Sequence, residues 1–120
     1  MTATQTTYDD GQIAARLREL PGWYFENGGI RRVYKTDGWP TTLMLVNAIG
    51  YVAEAADHHP DLQVSWGRII VALNTHSANG ITDRDFALAR RIEDVALWRP
   101  EAGGALDGTP KTFVQSGDPR

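Results

Sequence analysis

The chain has 120 residues, 42% of them hydrophobic and 22% charged, with a formal net charge of −3. That balance suits one domain able to bury its own core, and the excess of Asp plus Glu (15) over Lys plus Arg (12) argues against a nucleic-acid partner. With no cysteine there is no disulfide, thiol nucleophile or thiolate metal site.

Residues 1–8 are polar and Thr-rich and read as a flexible N-terminal tail. The start MTATQTTYDDGQ lacks the basic and apolar stretches of a signal peptide, and no apolar run reaches bilayer length. The expectation is a cytoplasmic protein with no membrane partner. A domain over residues 9–98 opens with a helix capped by Asp9 or Asp10 and running to about Leu20, with Ile13, Leu17 and Leu20 on one face. Pro21-Gly22 ends it. Aromatic and β-branched residues from Trp23 to Lys35 flank Asn27-Gly28, the signal of a β-hairpin.

Pro40 suits the first turn of a second helix to about Asp57, with Leu45, Ile49, Val52 and Ala56 as its apolar stripe. Leu62 to Trp66 and Ile69 to Asn74 read as a second strand pair. Thr75 to Gly80 is a loop. Thr82 then opens a third helix, with Asp85 placed to complete a capping box and Phe86, Ala89, Ile92 and Ala96 as the buried stripe. Residues 99–120 form a Gly/Pro-rich tail holding three of the six prolines. Its Leu106 and Phe113-Val114 are candidates to dock on the body. The order αββαββα predicts an α+β fold, a four-stranded antiparallel sheet with helices on one face.

The chemistry gathers between Glu54 and Asp85. His58 and His59 stand at a helix end, where a side chain is held by the helix yet open to a cleft. Glu54 lies four residues before His58, on the same face if the helix continues. A carboxylate there orients an imidazole and favours its protonated form. With His76 on the next loop, three groups titrating near neutral pH are expected to share one polar pocket suited to acid/base work. Each piece also has a plain structural reading: His58-His59-Pro60 as a polar helix stop, His76 as a turn residue, Glu54 as a surface charge, Asp85 as a cap and Trp66 as core. A metal site is expected to be absent, because adjacent histidines diverge and no HxH or HExxH spacing is present.

The combined pattern Glu54-x3-His58-His59-Pro60-x5-Trp66-x9-His76-x8-Asp85 resembles the signature of the pterin-4a-carbinolamine dehydratase family. Pro21-Gly22-Trp23, Ala53-Glu54, Thr75-His76-Ser77, Gly80-Ile81-Thr82 and Asp85-Phe86-Ala87-Leu88-Ala89 extend the resemblance over about residues 10–97. It implies dehydration of 4a-hydroxytetrahydropterin to quinonoid dihydropterin, in tetrahydropterin recycling, with no metal or organic cofactor. By resemblance, His58 and His76 are the acid/base pair and His59 binds and polarises the pterin. Glu54 orients a histidine, Asp85 supports the loop of His76, and Pro60, Trp66 and Thr75 complete the binding set. The family implies a homodimer or homotetramer. Trp66-Gly67 and the tail through Gly108-Thr109-Pro110 also resemble a divergent branch, associated with α-carboxysomes, that assists rubisco assembly. That branch implies rubisco as partner and a chaperone in place of an enzyme. A coactivator role and a pterin-free structural module are further readings.

Overall fold

The computed structural model describes residues 6–106 and 112–115. Three helices and four strands run in the order α1 (Asp10–Leu17), β1 (Tyr24–Glu26), β2 (Gly29–Lys35), α2 (Trp39–Ala56), β3 (Asp61–Ser65), β4 (Arg68–Leu73), α3 (Asp83–Leu97), with a short 3-10 turn at His76–Ala78. Thus the predicted α+β architecture and its element order hold. The strands form one antiparallel sheet in the order β1-β2-β4-β3. The β2–α2–β3 connection therefore carries the chain across β4's position to the far edge.

Local chemistry sets each boundary. Asp9 caps α1 by accepting from the Gln12 N–H at 2.8 Å, while the Gln12 side chain accepts from the Asp9 N–H at 2.9 Å. The hairpin between β1 and β2 turns on Asn27 (φ 52°) and Gly28 (φ 77°), the two positive angles a type I′ turn requires. At the start of α2, Gly38 has φ 148°, and a Cβ there would stand 3.1 Å from the Trp66 ring. Asp57 ends α2 in the left-handed region, with its N–H returned to Glu54 O. Thr82 and Asp85 form the expected capping box on α3.

Alternation along the central strands separates two faces. Ile30, Arg32 and Tyr34 of β2 pair with Leu73, Val71 and Ile69 of β4, and all six are buried against the helices. The helices contribute Ile13, Leu45, Ile49, Phe86, Ala89, Ile92 and Ala96 to that core. On α2 the buried stripe continues through Ala53, whereas Ala56 is exposed because the helix ends there. Arg32 is a charged residue inside the core. Its guanidinium reaches Glu93 of α3 at 3.2 and 3.3 Å, and Glu93 also accepts from the Trp23 indole (3.0 Å) and the Tyr34 hydroxyl (2.5 Å). A buried pair persists when its remaining polar atoms are satisfied in this way.

Residues near both chain ends make contacts with the body. Tyr8, placed by sequence in a loose leader, donates its N–H to Ile81 O at 2.8 Å and stacks on Phe86, since an aromatic ring beside an apolar helix gains by burial. Val114 is buried in the core, and Gln115 donates its N–H to Lys35 O at 2.8 Å. This lies beyond Gly29–Arg31, the part of β2 that β1 covers. Leu106, the other candidate anchor, remains exposed. Gly108-Thr109-Pro110 lies outside the described residues.

Candidate active site

Three segments meet where β4 ends and β3 begins. The left-handed Asp57 turns the chain out of α2 and separates the two histidines that follow. His58 goes inward: its Nε2 lies 2.7 Å from Oδ1 of Asp85, whose side chain is wholly buried. His59 goes outward: its Nε2 lies 2.9 Å from Oε1 of Glu54, and both side chains are exposed. The expected alignment of Glu54 with His58 is thus replaced by a Glu54–His59 pair. The helix does not persist to His58, so the four-residue spacing no longer applies. Arg84 fixes this corner by donating to Asp57 O at 2.8 Å.

Asp85 serves fold and site together. Its Oδ2 accepts from the Thr82 N–H at 3.0 Å, as the cap, and from the Thr75 hydroxyl at 2.7 Å. Oδ1 is left for His58. An ionised Asp85 accepts from Nε2–H of His58, and that tautomer leaves Nδ1 as the acceptor of the ring. Thr75 precedes His76 directly. Thr75 and Gly80 exchange backbone hydrogen bonds of 3.0 and 3.4 Å, closing the loop that carries His76 on its 3-10 turn. One carboxylate therefore ties the His58 ring to the base of the His76 loop.

His76 opens on a pocket of ≈320 Å³ between the β1–β2 turn and the end of β4, lined also by Arg31, Asp61, Asn74 and Asn79. Neither His58 nor His59 lines it, so the one pocket expected for the three histidines is not formed: His58 is joined to the foot of the His76 loop through Asp85 and Thr75, while His59 stands outside with Glu54. A larger groove of ≈580 Å³ between α2 and α3 is mostly aliphatic, and another of ≈540 Å³ gathers Arg16, Glu19, Asp83 and Arg90; neither holds a histidine, whereas the smaller pocket does. Pro60 links His59 to β3, at the site. Trp66 is exposed at the opposite end of β3, where its ring covers Gly38 and its carbonyl accepts from Thr42. Within one chain it does not join the histidines. Among the described residues no three His, Asp or Glu side chains gather closely enough to hold a metal ion.

Arg31, Asp61 and Asn74 were not singled out from the sequence. The available signal was alternation: Arg31 and Asp61 fall on the strand face opposite the buried residues, which a strand count reveals but a motif does not.

Fold and site together define a small α+β protein with histidine–carboxylate pairs at one end of an open antiparallel sheet. The model of the family Pterin 4 alpha carbinolamine dehydratase matches residues 6–95, and the chain belongs to that family. A relative from Aquifex aeolicus, with the provisional name pterin-4-alpha-carbinolamine dehydratase, is 44% identical over 84 residues, 70% of this chain and 85% of its own length. One from Chloroflexus aurantiacus with the same provisional name is 38% identical over 86 residues, 72% of this chain and 92% of its own. A crystal structure of a transcriptional coactivator/pterin dehydratase from Brucella melitensis superposes with a TM-score of 0.69 at 30% identity, covering 73% of this chain and 96% of that one.

Proposed function

We propose that the protein dehydrates 4a-hydroxytetrahydropterin to quinonoid dihydropterin. The observation that carries this reading is the Thr75–Asp85–His58 chain of hydrogen bonds at the foot of the His76 loop. Loss of the 4a-hydroxyl needs a proton on the departing oxygen. The C4a–O bond breaks, water leaves, and a base removes the ring N–H proton as the C4a=N5 bond forms. His58, with Nε2 held by Asp85 and Nδ1 free to exchange a proton, and His76, on its exposed turn, are assigned as the acid/base pair. His59, oriented by Glu54, polarises the bound pterin, with Thr75 and Pro60 framing it. Tetrahydropterin recycling is the role this reaction serves.

Self-association fits the outer face of α2, where Leu43, Met44 and Tyr51 are exposed together, an apolar patch a monomer rarely leaves uncovered. Light scattering on the purified chain should give a dimer or tetramer. The rubisco-assembly reading rested on Trp66 and the tail. Trp66 covers the start of α2 and Val114 completes the core, so both features have work within the chain, and the dehydratase reading is preferred.

The direct test generates 4a-hydroxytetrahydropterin in solution and follows its dehydration. The wild type should outpace the uncatalysed reaction, and His58→Ala and His76→Ala should each lower the rate by about 10²–10⁴-fold. A wild type no faster than background overturns the reading. A rise in assembled rubisco on co-expression, with no dehydratase rate, would favour the chaperone.

A further inference from the structure

The outer edge of β2 is covered in three separate pieces. Alternate residues of an antiparallel strand turn their backbone groups to the same side. Thr36 donates its N–H to Gly67 O, on the β4 side, so its neighbour Lys35 faces the other way, and there Lys35 O accepts from the Gln115 N–H at 2.8 Å. Val33 and Arg31 share the direction of Lys35. Arg31 pairs with Tyr24 of β1. β1 begins at Tyr24, since Trp23 before it is buried with its N–H on Leu20 O. Val33 O accepts from Nη1 of Arg32 at 2.9 Å, a guanidinium that Glu93 holds inside the core. The C-terminal segment 112–115 covers Lys35. An uncovered strand edge is a template for any extended chain, so each piece has a protective effect.

The third piece differs in kind from the other two. β1 and Arg32 belong to the body, whereas residues 112–115 come after a stretch, 99–106, that enters no helix or strand. The family match ends at residue 95, so the body is a family domain before this segment is added. Val114 anchors the segment at 2% exposure, with Phe113 half-buried against the core. The Thr112 hydroxyl donates to Val114 O at 3.1 Å, which keeps that carbonyl within its own segment. By contrast, β2 pairs with β4 along its length from Ile30 to Lys35. A short anchor beside a long ladder opens first, because a local opening breaks only the contacts of the unit that leaves. Lys35 stands opposite Arg68 at the start of β4, and the histidines lie at the other end of that strand.

We propose that residues 112–115 are a latch: an edge segment that detaches without unfolding the body and that keeps a strand-docking groove on β2 closed. The groove consists of the Lys35 backbone and the socket that Val114 fills. Its occupant is the chain's own C-terminal segment. Open, it fits an extended segment of the same pattern, a bulky apolar residue, then a β-branched one, then a backbone N–H. Closed, the latch confines association to other surfaces, the outer face of α2 among them. Its opening leaves the histidine site untouched, so the latch stands apart from the dehydratase reading.

Amide hydrogen exchange on the full-length wild type gives the first test. The Gln115 N–H should exchange at least about 100-fold faster than the N–H of Arg32, which lies in the β2–β4 ladder. Exchange of both at one rate would overturn the latch, since the segment would then leave only with the whole fold. Val114→Asp puts a charge in the socket; it should remove the protection of the Gln115 amide while Arg32 keeps its own. A fluorescent peptide copying residues 109–118 should bind Val114→Asp at least about tenfold more tightly than it binds the wild type, whose groove is filled. The same peptide carrying Val114→Asp should bind neither protein. Where Val114→Asp fails to fold, Gln115→Pro, which removes the N–H and leaves the anchor, should show the same peptide preference over the wild type. Equal peptide affinity for the wild type and the folded variant would overturn the groove.

Discussion

Two histidine–carboxylate pairs stand side by side, made from neighbouring residues, and they differ in nearly every physical respect. His58–Asp85 is 2.7 Å long, with a carboxylate at 0% exposure and an imidazole at 11%. His59–Glu54 is 2.9 Å long, with exposures of 56% and 82%. The inner pair is fastened to a helix cap and a loop closure, so its geometry is as stable as the fold. The outer pair is held by two side chains that water competes for, and salt screens it. The same chemistry is thereby divided into a fixed element and an adjustable one. A fixed imidazole suits proton transfer, where misplacement is costly; an adjustable one suits gripping a substrate that must enter and leave.

The largest expected effect comes from changing the inner carboxylate without changing its shape. In Asp85→Asn, an amide N–H turned towards His58 makes Nε2 the acceptor and moves the ring proton to Nδ1. The imidazole keeps its place but presents the wrong tautomer. The dehydration rate should fall by about 10²–10⁴-fold, as for His58→Ala, with a nitrogen NMR spectrum reporting the tautomer change. An Asp85→Asn variant with near-normal rate would show that the inner pair is structural only.

Next in size is stability. Asp85→Ala strands the Thr82 N–H and His58, leaves the Thr75 hydroxyl with Thr82 Oγ1 alone, and removes the Asp85 half of the capping box. A loss of about 1–3 kcal/mol is expected in urea unfolding. Glu54→Ala should lie within about 0.5 kcal/mol of wild type, as for surface changes generally. Equal losses would erase the distinction between the pairs.

How much of this was legible depended on whether the signal was local. The capping box Thr82-x-x-Asp85 and the Asn27-Gly28 turn were legible because each is decided by backbone groups within a few residues. The αββαββα order was legible because periodicity survives without tertiary detail. The partners of the histidines were not. One residue, Asp57, enters the left-handed region and rotates everything after it, which exchanged the expected Glu54–His58 pair for Glu54–His59. Nothing in spacing alone announces such a turn at an aspartate, which visits that region less readily than glycine. Asp85 was readable as cap or as site residue, and its two oxygens let it serve as both. Trp66 lies apart from the histidines of its own chain because a motif counts residues, whereas β3 carries those residues to the other end of the sheet.

A milder effect is expected at the outer pair. Glu54→Gln keeps a hydrogen-bond acceptor for His59 but removes the charge. The rate should drop less than tenfold, with most of the change in KM, because a group that orients a binder acts on substrate affinity more than on the chemical step. Raising the salt concentration should weaken the wild type towards the variant, while the Asp85 variants should keep the same ratio to wild type at all salt concentrations. A salt-independent Glu54→Gln defect would mean that substrate buries this pair when it binds.

The smallest effect is the one that separates the two pairs most cleanly. Unfolding free energies for His59→Ala, Glu54→Ala and the double variant should give a coupling of about 0.2–1 kcal/mol, the range of exposed ion pairs. The corresponding cycle for His58→Ala and Asp85→Ala should give a larger value, because residues in one buried hydrogen-bond network couple by about 0.5–3 kcal/mol. The second cycle carries a contribution the first lacks: removing His58 leaves Oδ1 of a buried carboxylate without a partner, and removing Asp85 leaves the imidazole and the Thr82 N–H without their acceptor. Truncating both removes the mismatch at once, so the double variant should be less destabilised than the sum of the single ones. Additivity at the inner pair would mean that Thr75 and Thr82 alone satisfy Asp85, and that His58 lies beside it without depending on it.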